Sequence, residues 1–147
     1  MSEPMCRSRQ LTVPARPENI DAVHDLIASL WAQRPELPAE NRLRFETAVI
    51  EVANNIVKHA TARSAGVPEV TIELTLTATA DRVTAHFRDD GGPADIDLAG
   101  SRMPDVMAEY GRGIALTGAL VDEVIYERSG SANIWTVTCQ RSDRSQP

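Results

Sequence analysis

The chain is poor in cysteine, in basic charge and in long apolar runs, and each shortage excludes something. Among 147 residues there are two cysteines, Cys6 and Cys139. Their spacing fits neither a zinc site nor a redox Cys-x-x-Cys pair, so two reduced thiols are expected. Fifteen basic residues stand against 21 acidic ones, a net charge of −6. A nucleic-acid binder would carry a basic stripe, so no direct nucleic-acid contact is expected. An anionic small ligand held at one local site stays compatible with that balance. No run approaches the roughly 18 apolar residues of a membrane span. The opening "MSEPMCRSRQ" lacks the apolar centre of a signal peptide. No membrane association and a cytoplasmic location are therefore expected. There is no internal repeat and no low-complexity tract.

What is present suits one ordinary domain over residues 1–147, with a core of about 9–141. Apolar residues make up 42% and charged residues 24%, close to a globular average. "RQLTVPA" (9–15) reads as a short first strand. Pro17 opens a helix, with Ile20, Val23, Ile27 and Leu30 at helical spacing. A second helix is expected over 39–63, with Phe45, Ala48, Val49, Val52, Ala53, Ile56, Val57 and Ala60 forming its apolar stripe. "EVTIELTLTATA" and "DRVTAHFRDD" alternate as two antiparallel strands. Residues 91–113 are Gly- and Pro-bearing and long for a plain loop, which suggests a lid. A third helix is expected directly after Gly113, then a closing hairpin made of "VIYERS" and "NIWTVTCQ". Helices in blocks and strands in hairpins imply an α+β fold, a two-layer sandwich with a mixed, mostly antiparallel sheet.

Three stretches carry candidate chemistry. In "VIEVANNIVKHA" (49–60) two asparagines sit mid-helix, at a combined cost of roughly 1 kcal/mol relative to Ala. At 100° per residue Asn55 falls about 40° from Glu51, one turn further along the helix. A carboxylate and a carboxamide so placed could hold Mg²⁺, or the carboxylate could take a proton from a nucleophile. A solvated polar face is the ordinary alternative. In "FRDDGGPAD" (87–95) aspartates at a strand end precede a glycine pair. An Asp there can accept from an amine on a base edge, and Gly permits close approach; a surface turn is the ordinary alternative. In "YGRGIAL" (110–116) Gly111 and Gly113 would offer backbone N–H groups to phosphate at a helix start, with Arg112 adding charge. A hinge into a helix is the alternative.

The order and spacing of all three resemble the Bergerat-type ATP-binding fold of the GHKL superfamily, which includes gyrase, the Hsp90 chaperones, histidine kinases and mismatch-repair ATPases. "VIEVANNIVKHA" looks like the N box, "RDDGGPAD" like the first glycine box, and "YGRGIALTGALVDEVIYE" like the second, with the ATP lid at about 91–113. The last of these is similar to the anti-sigma-factor serine kinases of the RsbW and SpoIIAB type. Pro93 stands where much of the wider superfamily has a second Gly, a departure familiar among these short kinases.

The resemblance implies ATP and Mg²⁺ as ligands. It implies Asn55 holding the metal against the phosphates and Glu51 as general base toward a substrate hydroxyl. Asp89 would meet the adenine amine, with Gly91 allowing close approach. Gly111, Arg112, Gly113 and Ile114 would form the phosphate cradle. His59 stands where the family often has His. Asn133 is a candidate polar partner to the base. The implied partners are a sigma factor, held inactive, and a STAS-type anti-anti-sigma protein phosphorylated on serine, with the kinase a homodimer. The chain offers no room for dimerisation and phosphoacceptor domains beside such a unit. The alternative is a nucleotide-dependent binding module that regulates a partner by docking alone.

Overall fold

The computed structural model describes residues 7–33, 37–61, 69–92 and 121–141. The chain runs β1 (Arg7–Pro14), a 3₁₀ turn (Pro17–Asn19), α1 (Ile20–Gln33), α2 (Ala39–Thr61), β2 (Thr71–Ala78), β3 (Arg82–Asp89), β4 (Glu123–Ser129) and β5 (Ala132–Gln140). Pro17 does start a helical segment, but its first turn is 3₁₀ and the α-helix proper begins at Ile20. The third helix expected after Gly113, and all of the lid beyond Gly92, lie outside the described residues.

The five strands form one sheet in the order β1-β2-β3-β5-β4, and every neighbouring pair is antiparallel. The expected mixed sheet thus shows no parallel ladder among the described residues. The reason lies in the connections. β2–β3 and β4–β5 are hairpins, while β1 reaches β2 through two helices, so the chain turns back three times on the way, into α1, into α2 and into β2. An odd number of reversals returns the strand in the opposite sense.

Strand alternation sends one face inward. Ile72, Leu74, Leu76 and Ala78 of β2, Val83, Ala85 and Phe87 of β3, and Trp135, Val137 and Cys139 of β5 are all buried. Register aligns them in rows, one of which reads Leu11, Leu74, Phe87, Trp135 and Tyr126 across the whole sheet. The opposite face carries Glu73, Thr75, His86, Arg88 and Thr136, as suits an antiparallel sheet covered on one side only. Burial also pushes the Cys139 thiol up from its ordinary pKa, so it behaves as a small core side chain.

Both helices cover the inner face. α1 buries Val23, Ile27 and Leu30, and the Trp31 ring meets Phe45 of α2 edge-on at 5.8 Å. α2 holds five β-branched residues over 49–57, a mix that lowers helix propensity. It forms because Phe45, Ala48, Val49, Val52, Ala53, Ile56 and Val57 are buried, and tertiary burial outweighs propensity. Asn41 fixes its direction: the side-chain amide donates to the Gln140 carbonyl at the end of β5 at 2.8 Å. α2 packs on β5 and β3 from there. The helical rise carries the chain about 21 Å from Asn41 to Asn55. The strand covers about 23 Å from Gln140 back to Asn133. Asn55 and Asn133 therefore lie toward the same end of the sandwich.

Leu74→Ala, in the centre of a filled row, should lower unfolding free energy by about 2–5 kcal/mol. Leu43, 68% exposed on the outer side of α2, should cost within about 0.5 kcal/mol when truncated. Urea titration of the two variants reads the difference; equal midpoints would contradict this assignment of the core.

Candidate functional site

One row of the inner face is not apolar throughout. Next to the Trp135 row, register aligns Val13, Ile72, Asp89, Asn133 and Arg128. The three polar members fall on β3, β5 and β4, and they close the core at the end of the sheet where β3 stops.

Asp89 is 4% exposed and Asn133 is 2% exposed. A polar group so buried must find hydrogen bonds. Oδ1 of Asp89 accepts from the Gly91 backbone N–H at 2.9 Å and from Asn133 Nδ2 at 2.9 Å. Oδ2 accepts from the Trp135 indole N–H at 3.3 Å. Since each carboxylate oxygen can accept two bonds, Oδ1 is full and Oδ2 keeps capacity for one more donor. Asp90, its neighbour, points the other way and accepts from the Thr71 N–H at 2.8 Å, joining the ends of β2 and β3. The two adjacent aspartates thus divide into one buried in the polar row and one exposed tie.

Gly91 sits in a tight space. A Cβ there would lie 3.1 Å from Asp89 Oδ1 and 3.4 Å from Val70 Cγ2. Any side chain there would crowd the carboxylate and require it to give by a few tenths of an ångström.

On α2 the two asparagines separate. Asn54 is exposed, whereas Asn55 is 8% exposed at the rim of the buried arc. Glu51, one turn earlier, is half-buried. No hydrogen bond or ion pair reaches the side chain of either Asn55 or Glu51 among the described residues. A buried amide left without partners costs about 1–3 kcal/mol, which makes Asn55 the candidate on this helix for contact with a ligand. An amide oxygen with a carboxylate one turn away is a hard-oxygen donor pair, and it suits Mg²⁺, which keeps several waters and takes one or two protein oxygens. No group of three or more His, Cys, Asp or Glu that could cage an ion occurs among the described residues. His59, half-buried on the same helix, has interactions of its own.

Gly111, Arg112, Gly113 and Ile114 lie outside the described residues. The other expected site residues divide into a sheet group, Asp89 and Gly91, and a helix group, Glu51 and Asn55. Three members of the sheet cluster escape a reading of the sequence alone: Trp135, Tyr126 and Arg128. Only strand register brings them to Asp89. Asn133, expected as a polar partner to the base, donates directly to Asp89 instead.

The profile of the histidine kinase-like ATPase domain matches residues 13–139, so the chain belongs to that family. Its members bind ATP, usually with Mg²⁺. No curated protein matches the chain. Among solved structures it is similar in fold to the RsbU and RsbW domains of Rv1364c from Mycobacterium tuberculosis. The TM-score is 0.60 at 16% identity, over 90% of this chain and 32% of that one. The chain thus spans about a third of that protein's length. The family match agrees with the resemblance to the GHKL superfamily, and the structural likeness agrees with its fold. No helix among the described residues is long and apolar enough to cross a membrane.

In the absence of nucleotide, Asn55→Ala should leave the protein as stable as before or more stable by about 1 kcal/mol, since it removes an unpaired buried amide and improves helix propensity. Thermal and urea unfolding measure this. A loss of more than about 1 kcal/mol would show that Asn55 has a structural partner and no vacant valence to offer a ligand.

Proposed function

We propose that the chain is an ATP-dependent protein serine kinase that also acts as an anti-sigma factor, holding a sigma factor and phosphorylating a STAS-type partner. The observation that carries this reading is Asn55: a buried amide with no side-chain partner among the described residues, one turn from a half-buried carboxylate, toward the end of the sheet that holds Asp89. A helix that served only to cover the core would place an apolar residue there.

In this reading Asp89 takes the adenine amine on Oδ2, and Gly91 keeps the turn close to the base. Asn55 would hold Mg²⁺, whose charge would offset that of the phosphates. Gly111, Arg112, Gly113 and Ile114 supply the phosphate cradle. Glu51 orients the serine hydroxyl and accepts its proton as the hydroxyl oxygen bonds to the γ-phosphorus. The bond from that phosphorus to the bridging oxygen breaks, and ADP leaves with the electron pair. Little more is required, because phosphoryl transfer is mostly positioning and charge stabilisation. The fold likeness to an RsbW-containing protein supports the choice of partners.

Two measurements test this. Labelled phosphate should pass from ATP to a co-encoded STAS-type protein, with transfer lost in Glu51→Ala by at least a hundredfold. Tight binding of ATP and partner without transfer would replace the kinase by a docking module. Mg-ATP affinity should fall at least about tenfold in Asn55→Ala and stay within about twofold in Asn54→Ala; equal effects would remove Asn55 from the metal site.

A further inference from the structure

Arg128 is a surface residue on β4, yet its guanidinium turns back into the sheet. Nη1 donates to the Gly91 carbonyl at 2.8 Å and to Asn133 Oδ1 at 3.1 Å. Nε donates to the Gly130 carbonyl in the β4–β5 turn at 3.2 Å. All three acceptors are neutral, and among the described residues no carboxylate pairs with it. An exposed arginine seeking only a counter-ion would not adopt this arrangement.

The consequence appears in Asn133. Its Oδ1 accepts from Arg128 and from the Tyr126 hydroxyl, and its Nδ2 donates to Asp89 Oδ1 and to the Gly92 carbonyl at 2.8 Å. All four hydrogen-bonding positions of the amide are filled. Reversing the amide would aim its oxygen at a carboxylate and a carbonyl. It would also aim its NH₂ at a guanidinium, which has donors only. The Tyr126 hydroxyl can donate or accept and would tolerate either orientation. On the β4 side, Arg128 is therefore the group that fixes which way Asn133 points.

We infer that Arg128 is a positioning residue for base recognition: by fixing the Asn133 amide and the Gly91 carbonyl, it saturates Oδ1 of Asp89 and leaves Oδ2 to meet the 6-amino group of a purine. The inference rests on the proposed nucleotide site and adds a specificity determinant to it. Arg128 itself touches no ligand in this scheme. If Asn133 is released, the carboxylate can rotate and its alignment with the amino donor is lost. Contacts to the phosphates are unaffected.

ATP and inosine triphosphate differ at position 6, amino against keto, so their affinities report this contact. Both are measured on the full chain by calorimetry and by competition, for wild type, Arg128→Met, Arg128→Lys and Arg88→Met. Arg88 sits on the opposite face of β3 and serves as the control. Arg128→Met should weaken ATP about tenfold, in keeping with loss of a charge-assisted hydrogen bond. It should change inosine triphosphate by less than about twofold. Arg128→Lys, able to reach one of the two oxygens, should fall between, and Arg88→Met should match wild type. A structural role alone would weaken both nucleotides equally, and that result, or no change in the ratio, overturns the inference. Should Arg128→Met fail to fold, an unchanged ratio in Arg128→Lys overturns it as well. A wild-type chain that binds neither nucleotide would sink the nucleotide reading itself, and this inference with it.

Discussion

A carboxylate buried as deeply as Asp89 has to be met by donors, and the end of the sheet is arranged around that requirement. The carboxylate terminates β3 on the inner face, so its donors come from the turn that follows and from the strand beside it. Gly91 supplies a backbone N–H, and its lack of a side chain leaves the carboxylate uncrowded. Asn133 supplies an amide only because β5 pairs with β3 in a register that sets it opposite. The Trp135 indole, one row inward, completes the set while filling the core. Shifting β5 by one residue would turn both Asn133 and Trp135 to the outer face. Core packing and the polar site thus depend on the same register.

The same requirement runs outward. Asn133 needs acceptor partners of its own, and β4 provides them in Tyr126 and Arg128. The Tyr126 ring also packs on Trp135 at 4.6 Å. Edge strand β4 is therefore more than a margin of the sheet. Its inward residues continue one apolar row and one polar row, and the polar one ends in a cation whose charge reaches Asp89 through a single amide. Such chains of hydrogen bonds strengthen one another in low dielectric and are costly when partly broken. That explains why two β4 residues and the Gly91–Gly92 turn all converge on the one side chain of Asn133.

Much of this was legible in the sequence, and the limits have physical causes. The apolar stripe of α2 repeats at three and four, so its extent over 39–63 is close to the observed Ala39–Thr61. The β2–β3 and β4–β5 hairpins follow from alternation interrupted by short turns. Asp89 and Gly91 stand out because a strand-end Asp before glycine is a local pattern. Register between β3 and β5 is not local: these strands lie more than 40 residues apart, and nothing near Arg128 signals that it faces Asp89. Even the helix wheel separated Asn54 and Asn55 only by angle. It could not say that one is exposed and the other buried at the rim, because that depends on where α2 is pinned, and Asn41 pins it through Gln140.

The two halves of the candidate site differ in how complete they are without a ligand. On the sheet side every donor and acceptor of Asn133 is used, and Asp89 has a single free position; this side is preorganised and loses little on binding. On the helix side Asn55 and Glu51 have no partner among the described residues. Under the proposed function their pairing waits for metal and phosphate. A helix optimised for stability alone would not keep that amide. Under the proposed function the difference has a purpose. Base recognition has to be rigid to tell an amine from a carbonyl, whereas the metal and phosphates bring their own charge and can complete the helix side when they arrive. Free energy that the empty protein forgoes at Asn55 is then recovered only with the ligand in place, which makes the fold itself respond to nucleotide. A partner-switching protein whose docking depends on nucleotide state would need that property.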